Sequence, residues 1–395
     1  MRVLVLSTVF PNAHRPTYGV FVRERVRHVA ARCEVQVVAP FPWFPLQRGI
    51  PGRATEHPPP IEEQCGFPVH HPRAFSIPGI AKSLDGLFYF LSVLPFVSRL
   101  RRRFPFDVID AQFAYPDGFG AVLVGRALRC PVVITLRGYE SDVADYALRR
   151  PQLRFAVRRC ARVITVSESL RRLARGLGAD PALTRVIPNA VDSGAFHPRD
   201  QQAARAKLDL PPHRTILLSV GAFVEGKGHE LVLDVLPQII ARRPDLLYLA
   251  IGNRGGSDSR LAAIRARVRD QGLEQRVRLE VARGHDEMPF WLAAADLFCL
   301  ATRREGWSNA ITEALACGLP VVTTDRGGNS EVVRHGSDGF LVPFFDAPAF
   351  ADAVVRGLER PWDRAAIARR AAARRWEDVA GEVVEELQLA RRSPR

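Results

Sequence analysis

The stretch that decides the fold is residues 301–326, A-T-R-R-E-G-W-S-N-A-I-T-E-A-L-A-C-G-L-P-V-V-T-T-D-R. Ser308 and Asn309 predict the start of a helix, because both residue types cap helix N-termini well. Gly318 predicts its end, since glycine is favoured just past a helix. The apolar run at 320–324 then predicts a buried strand. A loop, a helix and a buried strand in this order are typical of an α/β fold.

Two carboxylates eight positions apart, Glu305 and Glu313, flank the start of this helix. Free backbone N–H groups at a helix N-terminus attract anions. A ligand with a phosphate centre and hydroxyl-rich ends would suit this place, because carboxylates accept hydrogen bonds from hydroxyls. The alternative is a capped helix with one acid near the favoured end of its dipole and one solvent-facing glutamate. Spacing alone does not decide between them.

The residues around the two acids, E-G-x(6)-E-A-x-A-C-G-x-P-V-V, resemble the signature of the retaining glycosyltransferases of family 4. The resemblance implies the GT-B fold, an α/β architecture of two Rossmann-like doubly wound domains facing a central cleft. In that family the first Glu holds donor-sugar hydroxyls and the second holds the nucleotide ribose. The matching residues here are Glu305, a catalytic candidate, and Glu313, a donor-binding candidate. The other donor-binding candidates of this stretch are Gly306, Trp307, Ser308 and Asn309.

The composition is that of an ordinary globular protein, with 395 residues, 47% hydrophobic and 25% charged. This length predicts two or three domains. Six scattered cysteines form no C-x-x-C pair, which predicts free thiols in a reducing compartment. The net charge of +14 would suit nucleic acid, an anionic membrane or phosphorylated substrates. No signature of a nucleic-acid-binding module is present, so we expect no nucleic-acid partner.

The chain begins with a short apolar run at 3–6, which predicts a strand and not a signal peptide. No stretch of about 18 uncharged apolar residues occurs, so no membrane-spanning helix is expected. We therefore expect a cytoplasmic protein.

Residues 84–103, L-D-G-L-F-Y-F-L-S-V-L-P-F-V-S-R-L-R-R-R, combine aromatic, aliphatic and basic side chains. Such a segment could insert at a membrane interface on the inner face of the plasma membrane, with its arginines on anionic head groups. A buried helix with a polar end is the alternative, and Pro95 argues against one straight helix. The predicted contacts are Leu87, Phe88, Tyr89, Phe90, Leu94 and Phe96 for the apolar part, and Arg99, Arg101, Arg102 and Arg103 for the basic part.

Short apolar runs through the first half of the chain predict buried parallel strands in a β-α-β pattern. They lie at 3–6, 35–39, 107–111, 131–135 and 163–167. Residues 40–80 are proline-rich and are predicted to be irregular.

The loop after the first strand contains F-P-N-A-H-R-P-T-Y-G-V-F at 10–21. It resembles the first loop of a subfamily that builds bacterial surface polymers of the exopolysaccharide or teichuronic-acid type. In the wider family a glycine here lets the backbone approach the donor phosphate or the acceptor, which gives Gly19 that role. An ordinary loop glycine is the alternative.

The strand at 131–135 is followed by L-R-G-Y-E-S-D at 136–142. Ligands of open parallel sheets bind beyond the carboxyl ends of the strands. The family usually shows T-x-H-G-x-D here, and its His contacts the donor sugar. Arg137 stands at that position and could contact a sugar hydroxyl or an acceptor phosphate. The resemblance makes Arg137 a catalytic candidate and places Asp142 in the acceptor or phosphate loop.

The run at 215–220 predicts the first strand of a second doubly wound unit, followed by G-A-F-V-E-G-K-G at 221–228. This resembles the family's V-G-R-x(4)-K-G, in which Arg and Lys share the donor diphosphate. Lys227 matches the Lys and is a catalytic candidate, and an ordinary surface lysine at a helix N-terminus is the alternative. Ala222 replaces the Arg, so Lys227 works alone or with an arginine from elsewhere.

Two further donor contacts are implied by the resemblance. Gly221 ends the strand at 215–220, and Arg283 follows the strand predicted at 277–281, in the position of the base-binding loop.

The predicted domains are residues 1–196 for the acceptor, 197–365 for the nucleotide sugar, and 366–395 as helices crossing back to the first domain. The predicted reaction moves a sugar, with retention, from a nucleoside-diphosphate sugar to a hydroxyl of a saccharide acceptor. The acceptor is expected to be linked to a polyprenyl diphosphate in surface polysaccharide synthesis. No Asp-x-Asp triplet occurs, so neither a metal nor a separate cofactor is expected.

Two other classes of function stay open. A phosphorylase or a nucleotide-sugar epimerase could use the same fold. A non-catalytic protein that binds saccharide or nucleotide is the second alternative. Ala222 favours it slightly, whereas Glu305, Glu313 and Lys227 argue against it.

Overall fold

The computed structural model describes residues 1–45, 57–77, 79–253, 258–281, 284, 286–344 and 346–392. The chain divides into two compact units, Met1–Asn189 with Trp376–Arg395, and Ala190–Arg375. The sequence analysis placed the first boundary after residue 196. The structure has it earlier because Val191 and Phe196 pack in the core of the second unit.

An eight-stranded sheet forms the first unit, in the order β10-β9-β8-β7-β1-β2-β5-β4. Its pairs are parallel except for β4 with β5, and β3 pairs with β6 separately. The strands are β1 (Arg2–Leu6), β2 (Glu34–Val38), β3 (Phe41–Trp43), β4 (Ile61–Gln64), β5 (Phe67–His70), β6 (Arg73–Phe75), β7 (Val108–Gln112), β8 (Val132–Leu136), β9 (Arg162–Thr165) and β10 (Thr184–Val186). The helices are α1 (Val20–Ala30), α2 (Asp85–Arg103), α3 (Phe119–Leu128), α4 (Glu140–Val143), α5 (Arg150–Arg159) and α6 (Glu168–Gly176).

The prediction of an irregular segment at 40–80 is wrong for its described residues, which contain four short strands. In β5, Phe67 and Val69 point into the core while the residues between and after them are only partly buried. This alternation lets β5 join the edge of the sheet, where Val69 lies opposite Val37. The prolines hid the alternation, because Pro68 lies within the strand.

The second unit has a fully parallel six-stranded sheet, in the order β13-β12-β11-β14-β15-β16. Its strands are β11 (Thr215–Val220), β12 (Leu246–Gly252), β13 (Val277–Val281), β14 (Leu297–Leu300), β15 (Val321–Thr324) and β16 (Gly339–Val342). Its helices are α7 (Gln201–Lys207), α8 (His229–Arg242), α9 (Asp258–Asp270), α10 (Met288–Ala294), α11 (Asn309–Ala316), α12 (Asn329–Val332), α13 (Ala347–Glu359) and α14 (Arg364–Ala371). Central strands of both sheets, such as β8 and β12, are buried along their whole length, as expected for continuous hydrophobic runs.

The last helix, α15 (Trp376–Arg392), belongs to the first unit. Trp376 stacks on His28 of α1 with ring centroids 6.3 Å apart, and buried Glu386 pairs with Arg162 of β9. The preceding helix α14 stays with the second unit, because Ile367 packs in that unit's core. The crossing therefore begins at residue 376 and not at 366.

Helix α2 is continuous through Pro95 and packs against α3. Tyr89 is buried on Gly120, where a Cβ would meet the tyrosine ring at 2.4 Å. Phe88 packs edge-on against Phe75. The predicted insertion of Tyr89 into a membrane is therefore wrong, because the helix turns this ring towards the protein, whereas Phe88 stays partly exposed.

Length and composition alone would allow the segment Lys82–Arg103 to cross a membrane, although this is weak evidence. An 18-residue window within it reaches a mean hydropathy of 1.2. The expectation that no segment could span a bilayer therefore does not hold on this criterion.

Candidate active site

Each sheet has a point at which its strand order reverses, and ligands of open α/β sheets bind beyond the strand ends there. In the first unit β1 lies between β2 and β7. In the second unit β11 lies between β12 and β14. The predicted site residues follow these strands: Gly19 after β1, Arg137 after β8, Lys227 after β11, and Glu305 after β14.

In the second unit, Lys227 and Glu305 come together from segments 78 residues apart. The Lys227 Nζ donates to Glu305 Oε1 at 2.5 Å. Their side chains are 32% and 10% exposed, so the pair is open to solvent on one side. This geometry places a cation and a carboxylate at the start of α11, within the stretch that the sequence analysis singled out.

The turn that carries Lys227 is fixed by close backbone contact with the end of β14. Gly228 has φ +79° and caps α8, and a Cβ on it would lie 2.0 Å from Ala301 O. Arg303 N–H donates to Gly226 O at 2.9 Å. Only glycine fits Gly228, because the positive φ and the contact both exclude a side chain. The exposed Arg303 is thereby placed beside the Lys227 turn.

The backbone of Glu305 is fixed by the turn after β15. Gly327 has φ +60°, and a Cβ on it would lie 1.8 Å from Glu305 O. Gly328 N–H donates to the same oxygen at 3.1 Å. Asn329 is buried and donates to Thr323 Oγ1 and to Thr324 O, which ties the turn to β15. No role was predicted for Gly327, although the Gly327–Gly328 pair was a visible signal in the sequence.

Helix α11 begins as predicted, with Ser308 as N-cap and its Oγ accepting from Ile311 N–H at 3.4 Å. The Trp307 indole donates to Thr312 Oγ1 at 3.1 Å. Trp307 is thus held against the first turn of the helix. The amides of Asn309 and Gly306 lie at or before that turn, where N–H groups have no partner in the helix itself.

Glu313 lies in the second turn of α11, and burial raises the pKa of its carboxyl to about 8. A carboxyl with such a pKa keeps its proton near neutral pH until a donor stabilises the ionised form. Glu313 is therefore the group of this site whose charge state is most open to change by a ligand.

Gly221 follows β11, and its carbonyl lies 3.2 Å from the Nε2 of His229, which is buried. Burial lowers the pKa of His229, so its ring is favoured neutral. Arg283 lies outside the described residues. A cavity of about 260 Å³ is lined by residues that include Glu280, Val281 and Gly284.

In the first unit, Arg137 is buried and bound by neighbouring side chains. Its Nε and Nη2 donate to Gln112 Oε1 at 3.0 and 2.7 Å, and its guanidinium lies over the Phe21 ring. Burial, followed by the charge of Arg25, lowers the Arg137 pKa to about 9. The Nη1 atom of Arg137 has no hydrogen-bond partner among the described residues. It is therefore the atom that would make the predicted contact with a ligand.

Two further acids complete this cluster. Glu140 is buried and accepts from the amides of Ala114, Arg137 and Gly138 at 2.8, 3.1 and 2.8 Å. Asp117 is buried and accepts from Thr8 N–H and Thr8 Oγ1 at 3.1 and 3.0 Å. Burial raises the Asp117 pKa to about 8.

A buried ion pair lies beneath this cluster. Arg25 Nη2 contacts Asp110 at 2.8 Å, and Arg25 Nη1 donates to Thr135 Oγ1 at 2.8 Å. Arg25 comes from α1, whereas Asp110 and Thr135 come from β7 and β8. These contacts therefore tie α1 to β7, which carries Gln112, and to β8, which Arg137 follows. This role of Arg25 was not predicted from the sequence.

Gly19 and Asp142 are placed differently. Gly19 caps α1 with φ +81°, and a Cβ on it would lie 2.6 Å from Val9 O. A glycine is thus needed at position 19, because the backbone of Val9 passes close to it. Asp142 is exposed on α4. A larger cavity of about 620 Å³ near Cys130 and Cys160 contains none of the predicted site residues.

Among the described residues, no group of three or more His, Cys, Asp or Glu side chains is arranged to hold a metal ion. Independence from metal stays a prediction.

Two family profiles match this chain. The one described as Glycosyltransferase Family 4 matches residues 19–194, and the one described as Glycosyl transferases group 1 matches residues 214–360. The chain is 27% identical to TuaC of Bacillus subtilis, assigned by name to teichuronic acid biosynthesis, over 90% of this chain and 89% of that protein. It is 29% identical to a D-inositol 3-phosphate glycosyltransferase of Rhodococcus jostii, over 69% of this chain and 62% of that protein.

Solved structures give the same fold. A sucrose-phosphate synthase of Thermosynechococcus elongatus superposes with a TM-score of 0.76 at 21% identity, covering 99% of this chain and 96% of that chain. Anabaena HepE in complex with UDP gives 0.74 at 21% identity, covering 98% and 100%. Because the two profile matches lie one in each half and together span most of the chain, it belongs to the family 4 glycosyltransferases of the GT-B fold.

Proposed function

We propose that the protein is a retaining hexosyltransferase that moves a sugar from a nucleoside-diphosphate sugar to a hydroxyl of a lipid-linked saccharide acceptor. The observation that carries this proposal is the Lys227–Glu305 pair at the start of α11. It offers a cation for a diphosphate and a carboxylate for sugar hydroxyls in one place. The HepE structures, which are complexes with UDP and with UDP-glucose, support a nucleotide sugar as donor.

In this proposal the second unit binds the donor. Negative charge grows on the diphosphate as it leaves, so cations and oriented N–H groups at that point lower the barrier. Lys227 and the amides at 306–309 supply them. Arg303, beside the Lys227 turn, is the arginine that we propose to replace the one missing at Ala222. Glu313 accepts the ribose hydroxyls.

The first unit binds the acceptor. Arg137 is a positioning residue in this proposal, because its Nε and Nη2 are already bonded to Gln112. It fixes the end of β8, and through the Glu140 contacts it shapes the loop next to Tyr139 and Asp142. Gly19 keeps the first loop close to the sheet beside this cluster.

We propose a role in surface polysaccharide synthesis at the inner face of the plasma membrane. The similarity to TuaC supports this role. A polyprenyl-diphosphate-linked acceptor would be anionic and interfacial, which suits a chain with a net charge of +14.

The test is incubation of the full chain with a panel of nucleotide sugars and with saccharide acceptors, with and without a lipid. Release of one nucleoside diphosphate together with a glycosylated acceptor is expected, and EDTA should not stop it. Proton NMR of the first-formed product should show the anomer of the donor. An inverted anomer would contradict retention, and release of sugar phosphate would favour a phosphorylase. Nucleotide binding without turnover of any donor would favour the non-catalytic alternative.

A further inference from the structure

Large hydrophobic side chains are unevenly exposed on this protein. Among the described residues, those that stay exposed lie in the first unit, and none belongs to the second. Most of them fall into two short segments, at 80–91 and 139–148. We call these seven residues the apolar face: Ile80, Leu84, Leu87, Leu91, Tyr139, Tyr146 and Leu148.

Direct contacts bring the two segments together. The Gln152 side-chain amide donates to Ser83 O at 2.6 Å and to Leu148 O at 3.0 Å. One amide group thus bridges the start of α2 and the turn before α5. Tyr115 O–H also donates to Lys82 O at 2.6 Å, which anchors the same end of α2 on the segment after β7. The apolar face is therefore one surface built from two parts of the chain.

The apolar face borders the site of the first unit. Tyr139 follows Arg137 by two residues, and the charge of Asp85, the first residue of α2, acts on its pKa. Burial is the main cause of the raised pKa of Tyr18, which lies next to Gly19, and Tyr139 in turn contributes to it. Tyrosine at the edge of an apolar surface suits an interface with lipid head groups.

The same helix carries the positive charges. Its exposed arginines lie at its C-terminal end, at Arg99, Arg102 and Arg103, beyond the leucines. Arg101 differs from the sequence prediction, because it donates to Leu128 O and lies over the Phe106 ring. Three exposed arginines and a row of leucines on one helix complement an anionic bilayer, whose head groups are negative and whose interior is apolar.

We propose that the apolar face docks on an anionic lipid bilayer and so makes the enzyme prefer acceptors anchored in that bilayer over the same saccharides free in solution. This inference rests on the proposed transfer reaction and deepens it. Docking keeps the first unit's site at the membrane surface, where the head of a lipid-linked acceptor lies. The turn before α5 is the new element, since nothing in its sequence marks it as a lipid contact.

The first experiment measures binding to vesicles. The full chain is co-sedimented with vesicles of phosphatidylglycerol and phosphatidylcholine in equal parts, and with phosphatidylcholine alone. The double variant Tyr146→Ser and Leu148→Ser should lose about tenfold or more in partitioning, because two apolar side chains no longer leave water. Leu389→Ser is the matched control, since Leu389 is an exposed leucine of the same unit outside the face. An equal loss in both variants, or no loss in the double variant, would overturn the proposal.

A second set separates charge from apolar contact. Changing Arg99, Arg102 and Arg103 to Gln should weaken binding to the anionic vesicles and leave binding to phosphatidylcholine unchanged. Arg101→Gln should leave vesicle binding unchanged at equal folded fraction, because Arg101 is engaged within the unit. Equal losses from both changes would overturn the assignment of these charges. Thermal unfolding of each variant confirms that it is folded.

The activity test keeps this inference distinct from the proposed function. With a short soluble acceptor the double variant should match the wild type, because Tyr146 and Leu148 lie outside the proposed machinery. With a lipid-linked acceptor in vesicles its kcat/KM should fall about tenfold. If the double variant matches the wild type on both acceptors, the docking proposal is overturned, whereas the proposed transferase activity stands. A lipid-free dimer of the wild type that the double variant abolishes would assign the face to a protein contact and also overturn it.

Discussion

The polar groups of the two units are bound in different ways. In the first unit, Arg25, Asp110 and Arg137 are buried and bonded to one another or to neutral side chains. In the second unit, Lys227 and Glu305 contact each other but remain partly open to solvent. The first arrangement holds strand ends in place, whereas the second can exchange its mutual contact for a ligand. Changes in the first should therefore mainly affect stability, and changes in the second should mainly affect activity.

Asp110→Ala should give the largest effect on stability. It leaves the Arg25 guanidinium buried without its charge partner, which costs about 3–5 kcal/mol. Asp352→Ala is the control, since its pair with Arg242 is exposed on both sides and contributes about 1 kcal/mol or less. Denaturant unfolding measures both. A loss at Asp110 as small as that at Asp352 would remove the distinction between the two units.

Lys227→Ala should show the opposite pattern. It should lower kcat by a factor of about 10²–10³, as loss of a group that stabilises the leaving charge does, with little change in stability. Lys207→Ala, at an exposed lysine of the same unit, should leave kcat unchanged. Arg303→Gln should lower kcat by a smaller factor than Lys227→Ala. Steady-state kinetics at saturating donor decides, and a change in KM alone would make Lys227 a binding residue only.

Gly327→Ala tests whether the backbone position of Glu305 matters for activity. Both Gly327 and Gly336 have positive φ, but a Cβ on Gly336 meets nothing within 4 Å. Gly336→Ala should therefore cost only the backbone strain of about 1 kcal/mol. Gly327→Ala must also displace the Glu305 carbonyl and should lower kcat/KM by about tenfold or more. Equal activity of the two folded variants would show that the position of Glu305 is not critical.

The pH dependence of nucleotide binding should report on Glu313. Its folded pKa of about 8 lies above the ordinary 4.5, so its contribution to stability is full below 4.5 and is lost as pH rises through 8. Ribose hydroxyls donate to the ionised form, so binding should tighten as pH rises from about 6.5 to 8, by up to tenfold per unit. Calorimetric titrations across this range should show the slope in the wild type. The same slope in Glu313→Gln would assign it to another group.

Sequence periodicity predicted the strands that are buried on both faces, such as β8 and β11, because such strands are almost continuous apolar runs. It missed β5, in which Pro68 interrupts the alternation of Phe67 and Val69. The motifs that resemble the family predicted Lys227 and Glu305 as partners of a ligand, but their mutual contact depends on packing between distant segments. The buried contacts of Arg25 were not predictable for the same reason, since they depend on the strands that the tertiary fold brings against α1.

The most direct test of the central claim is a titration of the full chain with the nucleoside diphosphate that the donor screen identifies. Wild type, Glu313→Ala and Arg137→Gln are compared by calorimetry at one pH. The account predicts that Glu313→Ala weakens binding about tenfold or more, since a charged hydrogen-bond acceptor contributes about 1.5–3 kcal/mol. It predicts that Arg137→Gln binds the nucleotide like the wild type, because Arg137 belongs to the acceptor unit. Unchanged affinity in Glu313→Ala with a tenfold loss in Arg137→Gln would contradict the assignment of donor and acceptor to the two units.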